Sequence, residues 1–338
     1  MIRTSDKLLR VSHRPVFVVL AAVGALGLLL TGCRSPAGPS LSTDRVQLRN
    51  RSLALLQRAA DSPLPVVRAN AIEALVDVAP RQSLPLFRGS LQSANPLVRY
   101  AACVALGDLR DRASLDAFRR LVSSADHHVR IGAAYAAYRC GLPGAARILV
   151  DALNNDPDEK IRADAAFLIG KLGEKKAVKR LRLAMRREKS TYVQAHIVAA
   201  MATLGDDESL DALVYYTQSD ITSRIIALQT LDRIAPARAR GALLRLLNDD
   251  QAYIQIRLLA ARALARLGDR SGLELCLRHL THKADKPEET MQIRVNAALG
   301  LGAMGSAKAL PALEKLAGDQ SDPQVQVAAA YAICQICR

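Results

Sequence analysis

Nine times along the chain an Arg or Gln opens a stretch with Ala three positions later and apolar residues at seven and ten. The openers are Arg68, Arg99, Arg130, Arg162, Gln194, Arg224, Arg257, Arg294 and Gln326, spaced 30 to 37 residues apart. The third position is Ala71, Ala102, Ala133, Ala165, Ala227, Ala260, Ala297 and Ala329, with Ile197 the exception. A period of that length is one helix-turn-helix unit of a stacked solenoid. Before each opener lies another apolar series at helical spacing, such as Leu115, Phe118, Leu121 and Val122, which predicts a first helix A packed on the second helix B. Ala at the third position predicts close approach of neighbouring B helices.

The punctuation agrees with this reading. Asn95-Pro96 and Asp322-Pro323 each place an N-cap side chain before a Pro at the first helical position. Gly141, Gly173, Gly205, Gly268 and Gly305 stand eleven positions after their openers, where a left-handed C-cap turns the chain into the next helix A. A cation in the first turn of a helix opposes the helix dipole. The opener Arg is therefore expected to pair with an acid, and Asp126, Asp158 and Asp220 stand four residues before an opener. Half of the residues are hydrophobic, 4% are aromatic and Trp is absent, as suits a core of small and aliphatic side chains. Over residues 45–338 the pattern resembles the HEAT-like repeats of the phycobilin-lyase type. That resemblance implies an all-α, right-handed solenoid of about nine helix pairs, in a family whose members mostly serve as adaptors or scaffolds.

The first 32 residues follow another logic. Arg3, Lys7, Arg10 and Arg14 precede an uncharged apolar run over residues 16–30, followed by Leu30-Thr31-Gly32-Cys33. This is the n-region, h-region and small-residue site of an export signal. The four residues ending in Cys33 resemble the lipobox of bacterial lipoproteins, which implies cleavage before Cys33 and lipidation of its sulfur. Residues 33–44 read as a lipidated Cys and flexible tether, and residues 45–338 as the repeat domain. Arg34, rather than Asp, follows the Cys. By the same resemblance this favours an outer-membrane location facing the periplasm. The competing reading is an uncleaved anchor, for which the run is short of the roughly 20 residues a span needs.

Formal charge is +15, or +12 when the leader's four cations and Asp6 are set aside. An exported basic protein has little access to nucleic acid, so a protein partner with an acidic surface is expected, with anionic envelope polymers or lipids as the alternative. B helices of HEAT-like repeats usually line the concave side. Positions five and nine after each opener give Tyr135, Phe167, Arg262 and Tyr331, and Arg139, Lys171, Arg233 and Arg266. These predict a basic, aromatic-interleaved groove in which Tyr135, Arg139, Phe167, Lys171, Arg233, Arg262 and Arg266 contact the partner. Asp77 and Asp108 hold the ninth position in the first two repeats, so the stripe changes sign. A second basic run, Lys175, Lys176, Lys179, Arg180, Arg182, Arg186, Arg187 and Lys189, falls on a helix A. A charged insertion occupies residues 281–290, within the longest interval between openers.

No catalytic residue, cofactor or metal site is expected. Cys334 and Cys337 form a Cys-x-x-Cys at a helix C-terminal end, where the dipole disfavours thiolate. They read as small buried hydrophobes, like Cys103 and Cys140, with a late disulfide as the alternative. His127, His128, His279 and His282 lack further ligands in sequence, and no His-Glu dipeptide occurs, unlike the di-iron HEAT-repeat hydroxylases. The competing enzyme reading is a lyase resembling the phycobilin-lyase members. The apolar last helix ends the chain without a polar cap, which predicts an exposed end that packs on a second copy as a homodimer or on a partner.

Overall fold

The computed structural model describes residues 43–338. The leader, Cys33 and most of the tether lie outside the described residues. Among the described residues, eighteen α-helices form nine pairs and no strand occurs. The A helices are α1 (Thr43–Ala59), α3 (Leu84–Ser90), α5 (Leu115–Leu121), α7 (Ala146–Asn155), α9 (Ala177–Met185), α11 (Asp207–Tyr216), α13 (Arg240–Asn248), α15 (Leu273–His279) and α17 (Leu310–Gly318). The B helices are α2 (Pro65–Val78), α4 (Pro96–Asp108), α6 (His127–Arg139), α8 (Glu159–Leu172), α10 (Thr191–Thr203), α12 (Ile221–Ile234), α14 (Ile254–Arg266), α16 (Pro287–Met304) and α18 (Pro323–Ile336). No described helix is long and apolar enough to cross a membrane.

Local chemistry sets these boundaries. Asn95 accepts a hydrogen bond from Leu97 N, Asp126 from Val129 N, and Asp322 from Gln324 N and Val325 N, so the polar turns before these B helices are true N-caps. All five glycines eleven positions past an opener have positive φ. In two repeats that lack Gly there, Arg110 (φ 52°) and Ala235 (φ 44°) adopt the same left-handed conformation. The turn is therefore imposed by the stacking of consecutive pairs, and Gly is the low-strain way of meeting it.

The role shared by the openers is not the ladder of Arg and acid pairs, although Arg162, Arg257 and Arg294 also pair with Glu188, Asp250 and Asp319. The opener side chain reaches back to backbone carbonyls at the end of the preceding helix A or in the turn after it. Arg68 donates to Ala60 O, Arg99 to Ser93 O, Arg130 to Ser124 O, Arg224 to Ser219 O, Arg257 to Leu247 O and Arg294 to Leu280 O. Gln194 and Gln326 do the same to Glu188 O and Ala317 O, which explains why an uncharged amide fits the slot. The orphan carbonyls of a helix C-terminus are thereby satisfied. The acids expected to neutralise the openers, Asp126, Asp158 and Asp220, cap B-helix amides instead.

The B helices pack on one another in chain order as an inner layer, with the A helices outside. The third-position Ala residues and Ile197 are all 0% exposed. A Cβ on Gly170 would lie 2.9 Å from Ala200 Cα, which shows how closely α8 and α10 approach. A helices are pinned by buried side chains such as Leu56, Phe87, Phe118, Leu149, Leu181, Leu213 and Leu313.

The ends of the solenoid meet. α18 packs on both α1 and α2, so the nine pairs close into a ring. Across the seam Tyr331 OH donates to Asp77 (2.7 Å), Arg51 pairs with Glu314 (2.9 Å) and Cys334 Sγ lies 3.9 Å from Arg49 O. The apolar last helix is consequently not a free end. Val327, Ala328, Ala329, Ala330, Ala332, Ile333 and Cys334 are fully buried within one chain. The expectation of an uncapped end, on which homodimerisation through the C-terminal helix rested, is corrected by this closure. The first repeat itself acts as the cap of the last.

A charged lumen as the candidate functional site

Ring closure turns the inward rows of the B helices toward one another. Asp108, at the end of α4, accepts from Tyr135 OH of α6 (2.5 Å) and from Lys171 Nζ of α8 (2.7 Å). Lys171 thus reaches across an entire repeat. Arg139 and Lys171 both lie over the Tyr135 ring, at 5.9 and 5.7 Å from its centroid. On the next arc Arg233 of α12 crosses α10 to stack 4.8 Å above the Phe167 ring of α8. The residues of α10 beneath that span at positions five and nine are small, Ala199 and Thr203.

Farther round, Asp232 accepts from Arg262 (2.5 Å) and Arg266 (3.3 Å), both on α14. Asp77 closes the circuit at the seam, accepting from Tyr331, Gln335 and the terminal Arg338. Burial, with the Asp108 carboxylate beside it, pushes the Tyr135 hydroxyl well above the ordinary tyrosine range; burial and Asp77 do the same to Tyr331. Both rings are neutral donors fixed on carboxylates.

The expected groove residues therefore converge, but not on an open groove. Tyr135 and Arg262 are buried at 0% and 6% exposure. Lys171, Arg262 and Arg266 are ion-paired within the chain. The sign change along the stripe has a structural meaning: Asp77 and Asp108 are the internal counter-charges of residues that curvature brings opposite them.

Two lumen acids escaped the reading of the sequence. Glu73 occupies position five of the first repeat, with its Oε2 buried and lacking a hydrogen-bond partner. Burial raises its pKa well above 4.5, against the pull of Lys171. Asp232 occupies position eight, where the other repeats hold Val76, Gly107, Tyr138, Gly170, Ala202, Ala265, Gly302 and Cys334. An acid in a row otherwise without charge was the available signal.

The balance of the lumen is basic. Arg139, Lys171, Arg233, Arg262, Arg266 and Arg338 face Glu73, Asp77, Asp108 and Asp232. Of these cations, Arg139 and Arg233 have no carboxylate within ion-pair distance among the described residues. Their Nε atoms are buried without hydrogen-bond partners.

The cysteines and histidines fall elsewhere. Cys103, Cys140, Cys276, Cys334 and Cys337 are free and buried. Burial pushes the Cys334 thiol up to about 12, so the Cys-x-x-Cys is a pair of apolar fillers in the seam. His127 contacts Asp156 (2.5 Å), and His279 stacks on His282. Among the described residues no group of three or more His, Cys, Asp or Glu is arranged to hold a metal ion.

This two-layered ring of helix pairs defines a repeat protein of the HEAT class. The family model for HEAT repeats matches residues 52–139, 91–167, 146–225 and 250–334, and the chain belongs to that family. No curated protein matches it. Among solved structures it is similar to the CpcE and CpcF complex of phycocyanin lyase from Nostoc sp. PCC7120, at 20% identity and a TM-score of 0.42, over 78% of this chain and 98% of that chain. It is also similar to human deoxyhypusine hydroxylase in complex with glycerol, at 17% identity and a TM-score of 0.40, over 78% and 98%. A third similarity is to Kap121p, at 12% identity and a TM-score of 0.35, over 82% of this chain and 37% of that chain.

Proposed function

We propose that this HEAT-repeat protein is a non-enzymatic interaction platform of the bacterial cell envelope, tethered by lipidated Cys33 at the periplasmic face of the outer membrane. Its partner is a protein with an acidic surface, docking on the outer layer of the ring at α9 and α11. The observation that carries this reading is the outer surface of α9 and its flanks. Lys175, Lys176, Lys179, Arg180, Arg186, Arg187 and Lys189 are exposed, and none of them is ion-paired among the described residues. Arg182 is tied to Asp206 and Glu208, which anchors the patch to the next repeat. Leu183 stands among these cations at 56% exposure, and Tyr215 of the adjacent A helix is 69% exposed. An exposed apolar anchor and an aromatic beside uncompensated cations form a surface suited to an acidic partner.

The test is crosslinking in the membrane followed by affinity purification, with the intact chain beside two variants. One carries Lys179→Glu, Arg186→Glu and Arg187→Glu; the other carries Arg233→Met in the lumen. A partner captured by the intact chain and the lumen variant, but lost from the outer-face variant, supports the reading. Equal capture by all three places the contact elsewhere. Retention of the purified chain on anionic vesicles, lost in the outer-face variant without any protein being captured, would replace the acidic protein by a lipid surface.

A further inference from the structure

The lumen carries a second feature that does not depend on the scaffold reading. Arg233 extends from α12 across α10 and lies on the Phe167 ring, with a single 3.4 Å contact to Thr230 Oγ1 from its Nη2. Its Nε is buried and unpartnered. The adjacent acid, Asp232, is already engaged by Arg262 and Arg266. Arg139 is in a similar position: its Nε is buried and unpartnered, its two other contacts are 3.5 Å long, and nearby Asp108 is taken by Lys171 and Tyr135. Both side chains are half-buried, and partial desolvation of a guanidinium with no carboxylate in direct contact carries a cost. Burial pulls the Arg233 guanidinium down to about 10, against the charge of the adjacent Asp232.

From these neighbours we infer that the lumen is a binding site for a small phosphate-class oxyanion, held by Arg233 beside the Phe167 ring, with Arg139 adding positive potential from the Tyr135 side. Guanidinium groups present planar donor forks that match tetrahedral oxyanions. The other lumen cations are committed to Asp77, Asp108 and Asp232. The small residues Ala199 and Thr203 on α10 leave the span below Arg233 free of bulky side chains. Side chains crossing the ring confine the ligand to one of small size.

Thermal unfolding and isothermal titration of the full chain in mild detergent, at constant ionic strength, test this with inorganic phosphate as the probe and acetate as the control. The expected result is a saturable rise in Tm and a single-site isotherm with phosphate, at least tenfold weaker with acetate. Arg233→Met should melt at or above the unliganded parent temperature, because an uncompensated cation has been removed, and should lose the phosphate response. Arg139→Met should weaken binding at least threefold. The outer-face triple variant should respond as the parent does. No saturable response in the parent overturns the site. So does an undiminished response in Arg233→Met, a response equally strong with acetate, or one lost in the outer-face variant.

Discussion

The residue eleven positions after each opener sits where conformational strain and sequence choice meet. Five repeats use Gly, while Arg110 and Ala235 hold the same left-handed turn at a steric cost. Ala235→Gly should therefore stabilise the protein by about 0.5–1 kcal/mol, net of the greater freedom of Gly in the unfolded chain. Gly141→Ala should destabilise it by about 1 kcal/mol, although nothing lies within 4 Å of the added methyl. Denaturant midpoints of the two variants, moving in opposite directions, check the assignment.

Glu73 and Glu188 give opposite pH dependences. The Glu188 carboxylate is lowered by the Arg162 hydrogen bond, against burial, with backbone amides of Ser190 and Lys189 adding to it. Its contribution is present above the ordinary value of 4.5 and is lost as pH falls through the lower folded value. Glu73 is raised by burial, so its contribution is present below 4.5 and is lost as pH rises through the folded value. Glu73→Gln should raise Tm at pH 8 and have less effect near pH 4, whereas Glu188→Gln should lower Tm at pH 8. Melting curves at the two pH values read both signs.

At the scale of the helix pair, the opener joins two elements through the carbonyls that a helix end leaves unsatisfied. Arg130→Leu should cost about 1.5–3 kcal/mol, the range for hydrogen bonds to charged groups. Arg130→Gln should cost less than half of that, since Gln194 and Gln326 already perform the contact. A chemical denaturation series would show the difference, and equal losses would return the role to charge pairing. The recurrence of these openers, of Ala at the third position and of the polar caps was legible in sequence because each is a local requirement repeated in most or all of the nine pairs. The partner of the opener was not. An Arg with an Asp four residues away looks like an ion pair until the fold shows the Asp capping its own helix and the Arg reaching back past it.

At the scale of the whole molecule, closure replaces two solenoid ends with one seam. Asp77 and α18 hold that seam, so the ring is complete within one chain and should be a monomer by light scattering. Removing residues 323–338 would uncover the apolar faces of α1, α2 and α16 that now pack on α18. The truncated chain is expected to self-associate or precipitate, and size-exclusion chromatography with light scattering distinguishes this from a still-monomeric open solenoid.

Period, helix pairing, caps and left-handed turns follow from the sequence alone, because their causes act within one repeat and recur along the chain. The same residues also marked an inward row in which Tyr135, Arg139, Phe167, Lys171, Arg233, Arg262 and Arg266 belong together. Only the tertiary structure decided that this row lines a closed lumen rather than an open groove. Curvature is the sum of small rotations over nine pairs, and no single repeat encodes whether the last will meet the first. Local curvature brings Lys171 to Asp108 and closure brings Arg338 to Asp77, which converts much of an apparent binding stripe into internal ion pairs and leaves Arg139 and Arg233 without a carboxylate in ion-pair contact.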